Sequence, residues 1–179
     1  MIRSDYRKYK RYGGNFIGIV FLTQAFWAII QFRVASFVYN EVKIFGVRHL
    51  LLGICLIWQK LIEVTTGISL PASVIIGRSF YIGHFGNIFI HPNCCIGNNC
   101  NISQGVTIGI SGRGVERGVP TLGDNVYVGC NSTIVGKIVI GDNCVIGANS
   151  LVNRSVIENQ TVLGVPAQVI SSKNSSEYI

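Results

Sequence analysis

Thr121–Val152 reads TLGDNVYVGCNSTIVGKIVIGDNCVIGANSLV, and its aliphatic residues Leu122, Val128, Ile134, Ile140, Ile146 and Val152 stand six positions apart. Four of these six are followed directly by glycine, at Gly123, Gly129, Gly141 and Gly147. Four positions after each comes a small or β-branched residue: Val126, Ser132, Ile138, Cys144, Ser150 and Val156. An α-helix repeats about every 3.6 residues and a pleated strand about every two, so neither explains a period of six. A β-solenoid does. Each hexad supplies one short strand and one turn, three hexads close a triangular coil, and the aliphatic side chains stack inward as ladders. Glycine after the aliphatic supplies the backbone freedom a corner needs.

The same period extends upstream in two earlier series. Ile76, Ile82 and Ile88 form one, and Ile90, Ile96, Ile102 and Ile108 form another displaced from it by two residues. Cys100 and Cys144 fall at the small inward position, where cysteine acts as a compact hydrophobe. Before Gly67 the rhythm is different. Phe16–Tyr39 is apolar apart from Thr23, Gln24, Gln31, Arg33 and a few small residues, and reads as helix. A second apolar run, Leu50–Ile62, ends near Thr65-Thr66-Gly67 as a helix terminus does. The division expected is a helical unit over 1–66, a β-helix over 67–160 and a C-terminal extension over 161–179.

The chain of 179 residues is 49% hydrophobic, enough for a substantial core. Its net charge of +7 with only 13% charged residues points to an anionic partner. The basic residues lack interleaved aromatic platforms apart from Tyr6–Tyr12, which disfavours nucleic acid. Arg3, Arg7, Lys8, Lys10 and Arg11 precede the apolar run, so peripheral membrane contact through the N-terminal segment is one expectation and an oligomer-burying helix the other. The run over 16–39 is also near the minimum length for a bilayer span, although Gln24 and Gln31 weigh against insertion. No small-residue cleavage site follows the basic run, and the six cysteines form no C-x-x-C pair. Reduced thiols in a cytoplasmic setting, at the inner face of the membrane if the N-terminal segment touches it, are therefore expected.

Ladders are structural, so chemistry is sought where the repeat breaks. His84, in Tyr81-Ile82-Gly83-His84-Phe85-Gly86, stands two positions after a ladder residue and projects outward, either as a solvated histidine or as a proton-transfer group. The second break lies between Ile108 and Leu122, 14 residues apart where the repeat requires 12. It holds Ser111, Arg113 and Arg117 among several glycines, either a plain surface loop or a cover offering cations to phosphate.

Ile76-Gly-Arg-Ser-Phe-Tyr-Ile-Gly-His-Phe-Gly86, Gly105-Val-Thr-Ile-Gly109, the loop and Gly164-Val-Pro-Ala167 resemble the hexapeptide-repeat acyltransferases. The branch resembled is that of serine acetyltransferases and capsular or exopolysaccharide O-acetyltransferases. The likeness covers about residues 67–170, with a weaker echo at Arg33–Phe37. It implies a mainly β fold, a left-handed parallel β-helix with an N-terminal α-helical segment. It further implies a homotrimer with acetyl-CoA bound between subunits as acyl donor, and no metal.

Carried over by position, the resemblance makes His84 the catalytic base. It places Thr107, Gly109, Ser111, Arg113, Gly129, Cys130 and Ala148 along the cofactor, with Arg154 and Lys173 toward its phosphates. Ser69, Gly83, Phe85 and His91 fall on the acceptor side. Direct attack of an acceptor hydroxyl on the thioester, with backbone N–H groups near the loop for the oxyanion, is the mechanism implied.

Three departures bear on the acceptor. Serine acetyltransferases carry a carboxylate at the position of Ser69, an aspartate at Gly83 and an Arg-His pair at Gly118-Val119. Without those charges a neutral sugar hydroxyl, on a cell-surface polysaccharide, its repeat unit or a precursor, is the acceptor expected first, and L-serine second. The helical part is also shorter than in serine acetyltransferases, so their trimer-to-hexamer contact does not carry over. A β-helix carbonic anhydrase would require three converging histidines, and only His84 and His91 lie in the solenoid, His49 belonging to the helical unit. A non-catalytic trimeric scaffold is the remaining alternative, decided by His84.

Overall fold

In the computed structural model, which describes residues 1–179, the hexads become strands of two or three residues, followed by a longer pair at the C-terminal end. In chain order these are β1 Ile68–Ser69, β2 Ile75–Ile76, β3 Tyr81–Ile82, β4 Ile88–Ile90, β5 Cys95–Ile96, β6 Asn101–Ile102, β7 Thr107–Gly109 and β8 Thr121–Leu122. They continue as β9 Tyr127–Val128, β10 Thr133–Val135, β11 Val139–Ile140, β12 Val145–Ile146, β13 Leu151–Val152, β14 Thr161–Gly164 and β15 Ala167–Ser171. Up to β13 each strand stacks in parallel on the one three before it, and β14 stacks on β12. Face A is β1-β4-β7-β10-β13, face B is β2-β5-β8-β11, and face C is β3-β6-β9-β12-β14 closed by antiparallel β15. This is a left-handed β-helix of triangular section.

Register follows the ladders. Ile82 lies on Ile102, Val128, Ile146 and Val162 in face C, and Ile76 on Ile96, Leu122 and Ile140 in face B. All of these are buried, together with Cys100 and Cys144. At the edge between faces B and C, Asn99, Asn125, Asn143 and Asn159 adopt positive φ, and each of the first three donates through Nδ2 to the next at 2.8–3.0 Å. Asparagine tolerates this left-handed conformation better than most residues and satisfies its amide along the stack.

Three helices precede the coil: α1 Ile2–Arg11, α2 Gln24–Glu41 and α3 Phe45–Thr66. The apolar stretch over 16–39 is not one helix. A π turn at Gly18–Leu22 is set off from α2 by Thr23, whose backbone is extended and whose Oγ1 donates to the Gly18 carbonyl. Much of α2 packs inward: Phe26, Ile29, Phe32, Gln31 and Arg33 are buried in the protein, while Phe37 and Tyr39 near its C-terminal end are exposed. The helix long and apolar enough to cross a membrane, by length and composition, is α3. It ends on Gly67 in the left-handed conformation, where any Cβ would meet the Asn87 amide nitrogen at 2.8 Å.

The helices close the open end of the coil. Arg33 of α2 donates to the carbonyls of Ile76 and Gly77 on edge strand β2 and pairs with buried Asp5, which accepts from the Phe80 amide. On β3, the Tyr9 hydroxyl donates to the Ile82 carbonyl and accepts from its amide. Unpaired strand groups are thus satisfied by side chains rather than by another chain. One core of 33 buried residues runs from α1 to β14 and joins the helical unit to the coil.

The boundary expected at 160 moves. β14 continues face C and β15 folds back on it through Val165 and cis Pro166, carrying the sheet to Ser171. The last residues return across the coil, with Ser175 Oγ donating to the Asn125 carbonyl and Tyr178 ringed against Tyr127.

Candidate active site

The two-residue displacement between the upstream ladder series acquires a meaning at the edge where face C turns into face A. From Ile102 to Ile108, Val128 to Ile134 and Ile146 to Val152 this turn takes six residues, but from Ile82 to its equivalent Ile90 it takes eight. Ile88 and Ile90 are both buried, Ile88 lying on Ile68 of β1. The surplus is therefore taken up in Gly83-His84-Phe85-Gly86-Asn87, where Gly86 (φ +114°) and Asn87 (φ +52°) bend the chain outward. His84 and Phe85 are exposed at the tip, and Gly83 is partly exposed.

Successive coils stack on this turn: the Gly105 amide donates to the Gly86 carbonyl, the Asn131 amide to Gln104 and the Asn149 amide to Cys130, at 2.8–2.9 Å. At about 4.8 Å per coil, Cys130 lies roughly 10 Å and Ala148 roughly 14 Å along the edge from the His84 turn. His84, Gly129, Cys130 and Ala148 thus share one edge of the prism, an extended track leading to the imidazole. Gly129 is required by the stacking itself, for a Cβ there would lie 2.6 Å from the Ala148 nitrogen.

Other candidates sit elsewhere. Thr107 and Gly109 face outward on β7, half-buried. The loop after Ile108 is pinched by antiparallel hydrogen bonds between Ser111 and Gly118, leaving Arg113 and Arg117 exposed beyond them. It leaves from the edge between faces A and B, across the width of face A from His84. His91 and Arg154 follow β4 and β13 on that same far edge. His91 Nδ1 accepts from the Asn93 amide at 3.2 Å, so part of this ring is engaged in its own turn and it does not stand beside His84. Lys173 is farther still: its carbonyl accepts from Thr161 at the start of β14, near the edge between B and C, which separates it from both groups.

Ser69 points out from β1 and donates to Glu63 Oε1 at 2.7 Å. Glu63 belongs to the last turn of α3, and it also accepts from Gln59 and pairs with Lys60. Burial alone raises its pKa, but the hydrogen bonds from Lys60, Gln59 and Ser69 outweigh burial and hold the carboxyl below its ordinary value. A carboxylate therefore stands behind Ser69, reached from the helix rather than from the repeat. This end of α3 touches the His84 turn directly, since the Ile88 amide donates to the Gly67 carbonyl and Gly67 abuts Asn87. Phe89, paired in register with Ser69, is half exposed like Phe85.

Residues 120–154 match the family model for bacterial transferase hexapeptide, six repeats. The serine acetyltransferase of Bacillus licheniformis is 30% identical over 156 residues, covering 87% of this chain and 68% of the relative. The chain belongs to the hexapeptide-repeat acyltransferase family. Among solved members of that family, the serine acetyltransferase of Neisseria gonorrhoeae superposes with a TM-score of 0.81 at 28% identity, over 95% of this chain and 63% of that one. A serine acetyltransferase solved in complex with CoA superposes with a TM-score of 0.79 at 26% identity, over 94% of this chain and 68% of the other. The chain thus spans about two thirds of the length of these relatives. The carboxylate behind Ser69 was not singled out from sequence: Glu63 is a lone carboxylate in an apolar helix, four residues before the repeat domain begins.

Proposed function

We propose that this chain transfers the acetyl group of acetyl-CoA to a hydroxyl group, with His84 as general base. The observation that carries this is the enlarged turn that holds an exposed imidazole at the foot of a track along one edge. His84 takes the proton of the acceptor hydroxyl as its oxygen attacks the thioester carbonyl carbon. The tetrahedral adduct then collapses with cleavage of the C–S bond, and the imidazolium returns the proton to the departing CoA sulfur. The net charge of +7 favours a donor bearing phosphates. All six cysteines are unpaired, and a reducing cytoplasmic setting fits them.

L-serine is the acceptor best supported, because the relatives that match over most of the chain bear the name serine acetyltransferase. A sugar hydroxyl is the second acceptor, and it has its own support at the site. Half-exposed Phe85 and Phe89 flank the turn, and Ser69, Gly83, Gly118 and Val119 offer no charge of their own to an amino acid's ammonium and carboxylate. The test is release of CoA thiol from acetyl-CoA, with L-serine and a panel of free and nucleotide-linked sugars compared side by side. Turnover with an acceptor, lowered about 10²–10⁴-fold in His84→Asn, is the expected outcome. Equal turnover by wild type and His84→Asn with every acceptor rejects the proposal.

A further inference from the structure

Helix α3 has two apolar faces. One, carrying Cys55, Gln59, Ile62 and Thr66, is buried in the chain's own core. The opposite face bears Val47, Leu50, Ile54, Ile57, Leu61 and Val64, each 45–85% exposed. Their spacing alternates three and four residues throughout, which is the seam of a two-helix coiled coil. Their order is palindromic: Val, Leu, Ile, Ile, Leu, Val about a midpoint between Ile54 and Ile57. An antiparallel copy of the same helix would set Val47 against Val64, Leu50 against Leu61 and Ile54 against Ile57, like against like in every layer.

Beside the seam, one heptad apart, stand Gly46 and Gly53, and a Cβ on either would touch nothing within 4 Å. Glycine inside a helix is destabilising relative to alanine, and no contact within the chain demands it here. Close approach of a second backbone does, as Gly53 would lie next to the two-fold axis. We infer that the outer face of α3 is a self-complementary interface, on which a second copy of this chain docks α3 against α3, antiparallel about a two-fold axis.

Size and charge agree. An aliphatic side chain carries roughly 60–120 Å² of apolar surface, so six at about two-thirds exposure on each of two copies place on the order of 700 Å² in the contact. Exposed Thr65 and the stem of Lys60 along the flanks add to this contact. Lys60, the charge bordering the seam, falls beside Gly53 of the other copy, and at about 1.5 Å rise per residue the two Lys60 side chains are about 13 Å apart along the axis. No like charges are brought together.

The test is sedimentation velocity of the full chain with Ile57→Lys, Gly53→Leu and the double variant Ile54→Glu/Ile57→Lys, with circular dichroism to confirm folding. Ile57→Lys and Gly53→Leu are expected to halve the particle mass while leaving the spectrum unchanged. The double variant is expected to recover the wild-type mass, because antiparallel pairing sets each new Glu against a new Lys, whereas parallel pairing would oppose Glu to Glu. Unchanged mass in folded Ile57→Lys overturns the interface, and failure of the double variant to reassociate overturns its antiparallel form. Flotation of the wild-type chain with equimolar phosphatidylcholine and phosphatidylglycerol vesicles, lost in Ile57→Lys, would assign the face to lipid instead.

Discussion

Glu63 reaches Ser69 from a helix rather than from the repeat, and so any contribution it makes is separable from that of the imidazole. Glu63→Gln keeps an acceptor for the Ser69 hydroxyl but removes the charge, and is expected to lower kcat about tenfold with KM little changed, as for a group that positions the base rather than the acceptor. Ser69→Asp, placing a carboxylate directly on β1, is expected to restore turnover to Glu63→Gln; steady-state kinetics on both variants decides, and an unaffected kcat in Glu63→Gln makes the carboxylate purely structural. Titration elsewhere acts on stability. Lys8 is buried, donating to the Asn99 carbonyl and side chain, and desolvation lowers its pKa from 10.5 to about 8. The unfolded chain therefore binds the extra proton between those values, so this residue makes stability rise as pH goes up from 8. Buried thiols work in the opposite sense, for desolvation raises Cys94 to about 11 and Cys100 to about 12 from an ordinary 9.0, and their share is lost as pH climbs beyond 9. Urea denaturation is expected to show a maximum near pH 9, with the rise below it absent in Lys8→Met and the fall above it shallower in Cys100→Ala.

Elements differ in how far their residues announce them. The ladders of all three faces were legible, because a period of six leaves a triangular coil as the arrangement that buries every sixth side chain. The displacement of two between Ile88 and Ile90 was visible too, but only the stacking of Ile90 on Ile108 and Ile88 on Ile68 shows that it enlarges the His84 turn. The burial of helix α1 was not foreseen: its charged surface hides that Asp5, Lys8 and Tyr9 pack inward, on partners 28 to 91 residues away. The track residues Gly129, Cys130 and Ala148 came by resemblance, and the edge they share with His84 follows from the coil. Within one chain the coil sets His91 on the far edge of face A and Lys173 beyond β15, each apart from His84. The pairing of Arg33 with Asp5 is the element-scale test of the end cap. Arg33→Leu leaves a buried carboxylate without its partner and strands the Ile76 and Gly77 carbonyls, and is expected to cost about 3–5 kcal/mol. Asp5→Asn combined with Arg33→Leu should cost less than the two alone added together, since they share one network; thermal denaturation of the three variants measures it.

At the scale of the whole molecule, face A holds His84 and the Ser111–Gly118 loop apart on opposite edges, so the loop leaves each chain on the side away from its own imidazole. In a trimer of such prisms, each cleft between neighbours is bordered by an edge from either copy, and the His84 edge of one chain can face the loop edge of the next. Two inactive chains should then repair one another. His84→Asn lacks the base, and a chain in which residues 112–117 are replaced by Asn-Gly, a two-residue turn suited to the Ser111–Gly118 pair, lacks the loop. Each variant alone is expected to retain little acetyl transfer. When they are unfolded together in equal amounts and refolded, a cleft is intact wherever a loop-trimmed chain supplies His84 and its neighbour supplies the loop. Random assembly in a closed ring makes that roughly one cleft in four. Recovery of about a quarter of wild-type turnover, measured by CoA thiol release, places the site between subunits, whereas recovery no greater than the sum of the two variants places it within one.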